Sequence, residues 1–295
     1  MRLRLRDSEL ELERGMPLLM GIVNATPDSF SDPPGQKALP WLAARAHALV
    51  QHGAGIVDVG GDSGRTDRAA VSAREESARV APLVGRLAGD GLTVSVDTWR
   101  AEPARAALAA GAAMVNDVSG LADPGVAELC AEAGAALVIT HNRAAPKQKR
   151  FPDYGDDVMA DVLEFLGARA AAARARGVAD DQLVLDPGLD LAKTPRQSVE
   201  VLSRIGELEA LGHPLLLAIS RKDFLGALTG RSPAERDAAT LAAVEPALDC
   251  AAAVLRVHDV RAAADYVRVR AALRGDSPVA LSDVLAEPLR REVAL

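Results

Sequence analysis

From Pro17 onward the chain alternates two hydrophobic patterns. Short runs that are apolar at nearly every position (PLLMGIVN, GIVDVGG, LTVSVDT, AAMVNDVSG, ALVITH, QLVLDPG, PLLLAISRK and AVLRVHD) read as strands buried on both faces. Between them, apolar residues recur every three to four positions, the period of a helix with one buried face. These stretches are PWLAARAHALVQHG, REESARVAPLVGRL, PARAALAAG, PGVAELCAEAG, a long one over 156–176, TPRQSVEVLSRIGELEALG, SPAERDAATLAAVEPALD and VRAAADYVRVRAAL. Several open at Pro, Ser, Thr or Asp and close at Gly, the usual start and stop signals, and Pro246 should interrupt the seventh. Eight strand–helix units in succession predict a (β/α)8 TIM barrel over 17–274. The lack of Gly-x-Gly-x-x-Gly after the first strand weighs against an open doubly wound sheet.

Residues 1–16 follow a period of two instead. With Asp7-Ser8 as a two-residue turn, RLRLRDSELELERG pairs Arg6 with Glu9, Leu5 with Leu10, Arg4 with Glu11, Leu3 with Leu12 and Arg2 with Glu13. Opposite charges face each other and leucines face leucines, which predicts an N-terminal β-hairpin laying its leucine face on the barrel. Residues 275–295 lie beyond the eighth unit, as a short C-terminal extension that is either a docked helix or disordered.

Composition narrows the class. A chain of 295 residues with 49% hydrophobic content has material for a large core, and its net charge of -7 argues against nucleic acid as the main partner. An anionic small molecule is still compatible with a local cationic cluster. Cys130 and Cys250 sit in Ala-rich helical patterns and read as buried packing rather than a disulfide. No apolar run is long enough to span a membrane and residues 1–14 hold no hydrophobic signal core, so a cytoplasmic protein with no membrane partner is expected.

In such a barrel the chemistry stands at the C-terminal ends of the strands. There the sequence places Asn24, the Gly60-Gly61-Asp62 turn, Asp97, Asn116 with Asp117, His141, Asp186, then Ser220-Arg221-Lys222, and finally Arg256 with His258. Every strand delivers polar groups to one rim, which points to a pocket. Singly, several have plainer readings. Asp97 could cap the helix starting at Arg100, Asp117 could bond its own loop, Asp186 could form a turn, and His141 could be a packed histidine. Lys222 is harder to explain so, because the chain has only five lysines and this one directly follows a buried strand. Arg256 and His258 flank Val257 and point the same way, as an anion site would need. Asp97, Asn116 and Asp186 supply acceptors, and Asn116 a donor, suited to a planar heterocycle with amino and ring N–H groups. Asn24, Arg256 and His258 suit a diphosphate, with Asn24 offering a carbonyl oxygen to Mg²⁺. No His/Cys cluster suggests zinc.

The segments GIVNATPDSFSD, GIVDVGGDS, VSVDTWRAEPARAALAAGAAMVNDVSG, LVLDPGLDLAKTP, LLLAISRKDFLG and RVHDV run across roughly residues 17–273. In these, and in their order, the chain resembles dihydropteroate synthases, the pterin-binding barrels of folate synthesis. The resemblance implies that Asp97, Asn116, Asp186 and Lys222 bind a pterin ring. It implies that Asn24, Arg256 and His258 hold a diphosphate, with Asn24 as the protein ligand to Mg²⁺. Ser220, Lys222, Leu191 and Gly64 would border p-aminobenzoate. Asp32 and Arg65, on the first two loops, would close with Lys222 over the reacting centre. The implied reaction ionises the pterin CH₂–O bond as diphosphate departs, and the aromatic amine captures the cation, so no protein nucleophile is needed. A homodimer is implied too, as is a sulfonamide target, with lower sulfonamide sensitivity expected where the amine pocket is altered.

The departures from the family pattern gather on the amine side. GGDSGRTD stands where the family reads Gly-Gly-Glu-Ser-Thr-Arg-Pro-Gly, so a looser second loop is expected. Asp190-Leu191-Ala192-Lys193 stands where the family reads Gly-Phe-Gly-Lys, which removes an aromatic wall at Leu191. Pro33 and Pro34 stiffen the first loop. A competent synthase with an altered amine pocket is expected. The alternatives are a pterin-binding paralogue without synthase activity and a pterin-dependent methyltransferase acting on a corrinoid protein.

Overall fold

The structure, a computed structural model, describes residues 1–26, 39–62 and 69–279. Asp32, Gly64, Arg65 and the tail from residue 280 lie outside the described residues.

Eight parallel strands close into a barrel: β3 (Leu18–Asn24), β4 (Ile56–Gly60), β5 (Val94–Asp97), β6 (Met114–Asp117), β7 (Ala136–Thr140), β8 (Leu183–Asp186), β9 (Leu215–Leu217) and β10 (Ala253–Val257). They pair in sequence order, and β10 pairs with β3 to complete the ring. Outside it run α1 (Leu39–Gln51), α2 (Ala73–Gly89), α3 (Ala101–Ala109), α4 (Gly125–Ala133), α5 (Val158–Arg174), α6 (Pro195–Ser203), α7 (Asp223–Thr229), α8 (Asp237–Val244) and α9 (Val260–Arg274). The open-sheet alternative is thereby excluded. Two helical patterns prove composite. The sixth ends at Ser203 and continues as a 3-10 helix over Ile205–Leu211, and the seventh gives way at Glu245-Pro246 to a 3-10 helix over Glu245–Asp249, as the proline requires. Helix α7 was not in the predicted pattern, because DFLGALT is too short to show a period.

The hairpin forms, as β1 (Arg2–Arg4) and β2 (Glu9–Glu11), but two residues out of the predicted register. Arg2 faces Glu11, Leu3 faces Leu10 and Arg4 faces Glu9. The turn is centred on Arg6-Asp7, closed by Leu5 N–H donating to Ser8 O at 2.8 Å, and not on Asp7-Ser8. A shift of two keeps every side chain on its face, so the alternating pattern could not tell the two registers apart. Arg4 turns away from the glutamates to Asp181 and Gln182, just ahead of β8.

Alternate strand residues point to the barrel axis, and their character changes in one step along that axis. At the lower level Met20, Ile56, Met114, Val138, Val184, Leu216 and Val254 pack together with Leu3, Leu5 and Leu12 of the hairpin. Leu3 and Leu5 are at most 1% exposed, and burial of each is worth ~1.5–3 kcal/mol. Two residues further along the same strands, Ile56 is followed by Asp58, Met114 by Asn116, Val138 by Thr140, Val184 by Asp186 and Val254 by Arg256. The hairpin thus plugs the floor, and the polar level stands directly on an apolar one. A separate, larger core fills the space between helices and strands.

Candidate active site

Arg256 stands at the centre of the polar level. Its Nε donates to Asp58 Oδ2 at 2.6 Å and its Nη2 to Asp97 Oδ2 at 2.7 Å, so the guanidinium on β10 bridges carboxylates on β4 and β5. Asp58 is fully buried, and the same Oδ2 accepts from Asn116 Nδ2 at 3.1 Å. One carboxylate therefore orients both a cation and an amide. Burial pushes the Asp97 carboxyl above the usual carboxylate range while Arg256 pulls it back.

Asn116 Oδ1, Asp58 Oδ1, Ser95 Oγ and Thr140 Oγ1 are buried with no partner among the described residues. They come from β4, β5, β6 and β7, four neighbours in the ring. An unpaired buried polar atom costs ~1–3 kcal/mol, and four on neighbouring strands mark a surface built to be completed by a ligand.

On the opposite wall Asp186 Oδ1 accepts from Gly188 N at 2.7 Å, leaving Oδ2 without a partner among the described residues. Burial raises its pKa, and that rise is tempered by this bond and by Lys222, Lys193 and Arg256. Lys222 Nζ donates to Leu189 O at 2.9 Å. Ser220 Oγ lies 2.9 Å from His258 Nδ1 and accepts from His258 N at 3.2 Å. Burial, with Arg256, Arg221 and Arg45 nearby, lowers the His258 pKa to about 3. A cleft of about 480 Å³ opens beside His258, bordered by Trp41, Arg221 and Val260. Asn24 ends β3 with its carboxamide half-buried and without a partner among the described residues. A Cβ on Gly60 would stand 3.6 Å from Asn24 Oδ1 and 3.8 Å from Asp97 Cβ, so the glycine keeps the space between those side chains open.

On the loop after Asp186, Lys193 is 2% exposed and donates to Gly188 O at 2.9 Å and to His141 Nδ1 at 2.6 Å. His141 Nε2 pairs with Asp161 Oδ1 at 2.7 Å. The imidazole must then carry its proton on Nε2, and it cannot be cationic while Lys193 is. Burial first, then Lys193, lowers the His141 pKa to about 3, and burial lowers that of Lys193 to about 7. His141 is the packed histidine of the plainer reading. Asp117, likewise, accepts from Ser119 and Leu121 within its own loop. Asp97 does not cap α3: its carboxylate goes to Arg256, and Ala101 N donates to Asp123 instead.

The second loop is tied down at both described ends. Lys147 lies 2.5 Å from Asp62 Oδ1 and donates to Ala69 O at 3.2 Å. Arg100 donates to Asp62 Oδ2 at 2.8 Å and to Val71 O at 2.6 Å. The structure thus gathers Asn24, Asp97, Asn116, Asp186, Ser220, Lys222, Arg256 and His258 around one mouth, with half-buried Leu191 on the loop beside Lys222. The sequence reading missed Asp58, whose signal was an acid two positions after Ile56 in an apolar strand. It also missed Lys147, which carried no signal, because loop-to-loop contacts leave no period.

The site is thus a polar barrel mouth that sets buried acceptor oxygens beside cationic side chains. The sequence matches the family described as pterin binding enzyme over residues 20–258, and the chain belongs to that family. The particular relatives are dihydropteroate synthases. That of Mycobacterium leprae is 44% identical over 262 residues, covering 85% of this chain and 91% of that protein. That of Synechocystis is 40% identical over 259 residues, covering 86% and 89%. Among solved structures, the Yersinia pestis dihydropteroate synthase in a sulfonamide drug complex matches with a TM-score of 0.86 at 34% identity, covering 94% of this chain and 100% of that one. The Burkholderia cenocepacia enzyme complexed with 7,8-dihydropteroate matches with a TM-score of 0.83 at 37% identity, covering 93% and 97%.

Proposed function

We propose that the chain is a dihydropteroate synthase. It condenses 6-hydroxymethyl-7,8-dihydropterin diphosphate with p-aminobenzoate, giving 7,8-dihydropteroate and diphosphate. The observation that carries this reading is the set of unpartnered polar atoms on four neighbouring barrel strands, with Asp186 on the opposite wall. Asn116 Oδ1, fixed as an acceptor by its bond to Asp58, and the free oxygen of Asp186 receive N–H groups of the pterin ring. Asp97 and Lys222 complete its edge. Arg256 gives two of its nitrogens to Asp58 and Asp97, which leaves Nη1 for a diphosphate oxygen; His258 and Asn24 flank that place. As the CH₂–O bond ionises, Arg256 steadies the departing charge, and neighbouring carboxylates favour the pterin cation. Asp32, Arg65 and Gly64 belong to this reading through the family resemblance, at the amine side with Ser220, Lys222 and Leu191.

Mg²⁺ fits this donor set as a companion of the diphosphate. Among the described residues no group of three or more His, Cys, Asp or Glu side chains could hold a metal. One Asn24 carbonyl with phosphate oxygens and water is the coordination Mg²⁺ favours. The ion would neutralise leaving-group charge when bound. We further propose a homodimer, supported by exposed Leu228, Val269 and Leu273 on α7 and α9. Among the described residues no helix is long and apolar enough to cross a membrane.

The test is diphosphate release from the pterin diphosphate with Mg²⁺, with and without p-aminobenzoate. Amine-dependent release with dihydropteroate formed is expected. Tight pterin binding without release would withdraw the synthase reading in favour of a binding paralogue.

A further inference from the structure

The loop between β8 and α6 carries left-handed backbone at two residues that are not glycine, Asp190 (φ 62°) and Ala192 (φ 53°). For an L-residue that conformation costs ~1–2 kcal/mol, so the surroundings must hold it in place. At Asp190 they do so through contacts that lead to the active site. Its N–H donates to Ser198 Oγ at 3.0 Å, and its Oδ1 accepts from the same hydroxyl at 3.2 Å. Both carboxylate oxygens lie 3.2 Å from Phe224 N, in the first turn of α7.

Helix α7 needs that acceptor. Its N-cap residue is Lys222, which offers no side-chain acceptor to the free N–H groups of the first turn. Asp190 supplies one from another loop. The residue before it, Leu189, supplies the carbonyl that receives Lys222 Nζ at 2.9 Å. Two consecutive residues of one loop therefore fix Lys222 at both ends: Asp190 holds the helix it begins, and Leu189 holds its ammonium. A lysine carries ~2 kcal/mol of side-chain rotamer entropy, so where its backbone starts decides where its charge rests beside Asp186.

We propose that Asp190 is a positioning residue for Lys222, clamping the start of α7 to the β8–α6 loop so that the ammonium stands at the junction of the pterin and amine sites. This rests on the role given to Lys222 above. Asp190 touches neither substrate; it acts through the lysine.

Two substitutions separate this role from a merely structural one. Asp190→Gly removes the clamp but adopts φ 62° without strain, so folding loses little. Asp190→Asn tolerates the left-handed region and keeps an oxygen for Phe224 N. For each variant of the full-length chain, kcat, KM for both substrates, the Kd for the pterin diphosphate and Tm are measured. Asp190→Gly should lower kcat/KM for p-aminobenzoate about tenfold, the scale of a small misplacement of a reacting-site group, with Tm nearly unchanged. Asp190→Asn should recover most of that loss. Unchanged kinetics in Asp190→Gly would overturn the proposal, as would equal loss in both variants accompanied by a fallen Tm. If the parent chain binds the pterin diphosphate without turnover, the synthase reading fails separately. The proposal then stands or falls on whether Asp190→Gly weakens pterin binding and Asp190→Asn restores it.

Discussion

Removing the Asp58 side chain is the sharpest test of how the polar level is held together. Asp58→Ala deletes the acceptor for Arg256 Nε and for Asn116 Nδ2 at a fully buried position. Breaking a buried ion pair from one side costs ~3–5 kcal/mol, and here the low end applies because Arg256 keeps Asp97 at 2.7 Å. The orphaned Asn116 amide adds ~1–3 kcal/mol, and loss of the already unpartnered Asp58 Oδ1 returns a similar amount. The net is about 3 kcal/mol, and at ~2–4 °C per kcal/mol for a large domain Tm should fall by roughly 6–12 °C. Asp58→Asn, of equal shape but uncharged, should lose about half as much, because the charged form roughly doubles such a bond. Thermal melts followed by far-UV circular dichroism would read this out, with pterin diphosphate affinity measured in parallel. An Asp58→Ala protein melting with the parent, or binding the pterin equally well, would refute the claim that this carboxylate organises Arg256 and Asn116.

Two further outcomes follow from the geometry. His141 and His258 are both held to about 3, well below the ordinary histidine value, chiefly by burial. The unfolded chain therefore takes up protons below about pH 6.5 that the folded chain refuses, so this stability is complete above that value and lost as pH falls toward 3. The carboxyls of Asp97, Asp117, Asp186 and Glu76, all raised by burial, work in the opposite sense, so the histidines are read directly: ¹⁵N spectra should show both imidazoles neutral at about pH 5, and titration of either near 6.5 would refute the assignment. Lys147→Ala should free Asp62 Oδ1 and Ala69 O together, leaving Asp62 still held by Arg100, and raise KM for p-aminobenzoate several-fold, about 3–10, with pterin affinity intact. An unchanged KM would show that the tie is incidental.

What could be read from the sequence followed from what repeats. Eight strands survive as eight because each is a short run sealed on both faces, and Pro246 broke its helix where it had to. The hairpin was legible in kind but not in register, since a shift of two leaves Leu3 and Leu5 facing inward in either case. Rim residues were legible because they cluster where apolar runs end. Their partners were not. Asp58 looked like an interruption in a strand, and its value lies in Arg256, which is 198 positions away. Asp117 and Asp97 had equal claims as turn or cap residues, and only the tertiary fold separates them, one turning inward on its loop and the other across the barrel. Asp190 read as a lost glycine; its use depends on α7, whose seven residues gave no periodic signal.

The floor plug has a consequence for how the molecule comes together. Leu3, Leu5 and Leu12 precede every strand of the barrel in the chain, yet the surface that shelters them includes Val254, on the last of those strands. Their shelter is not complete until the seam between β10 and β3 has closed. A segment made before the barrel is therefore the last to find its place, and contacts of such long sequence separation form slowly. Until then its leucines stay exposed to water and to other chains, the interval in which a half-made barrel is most prone to aggregate.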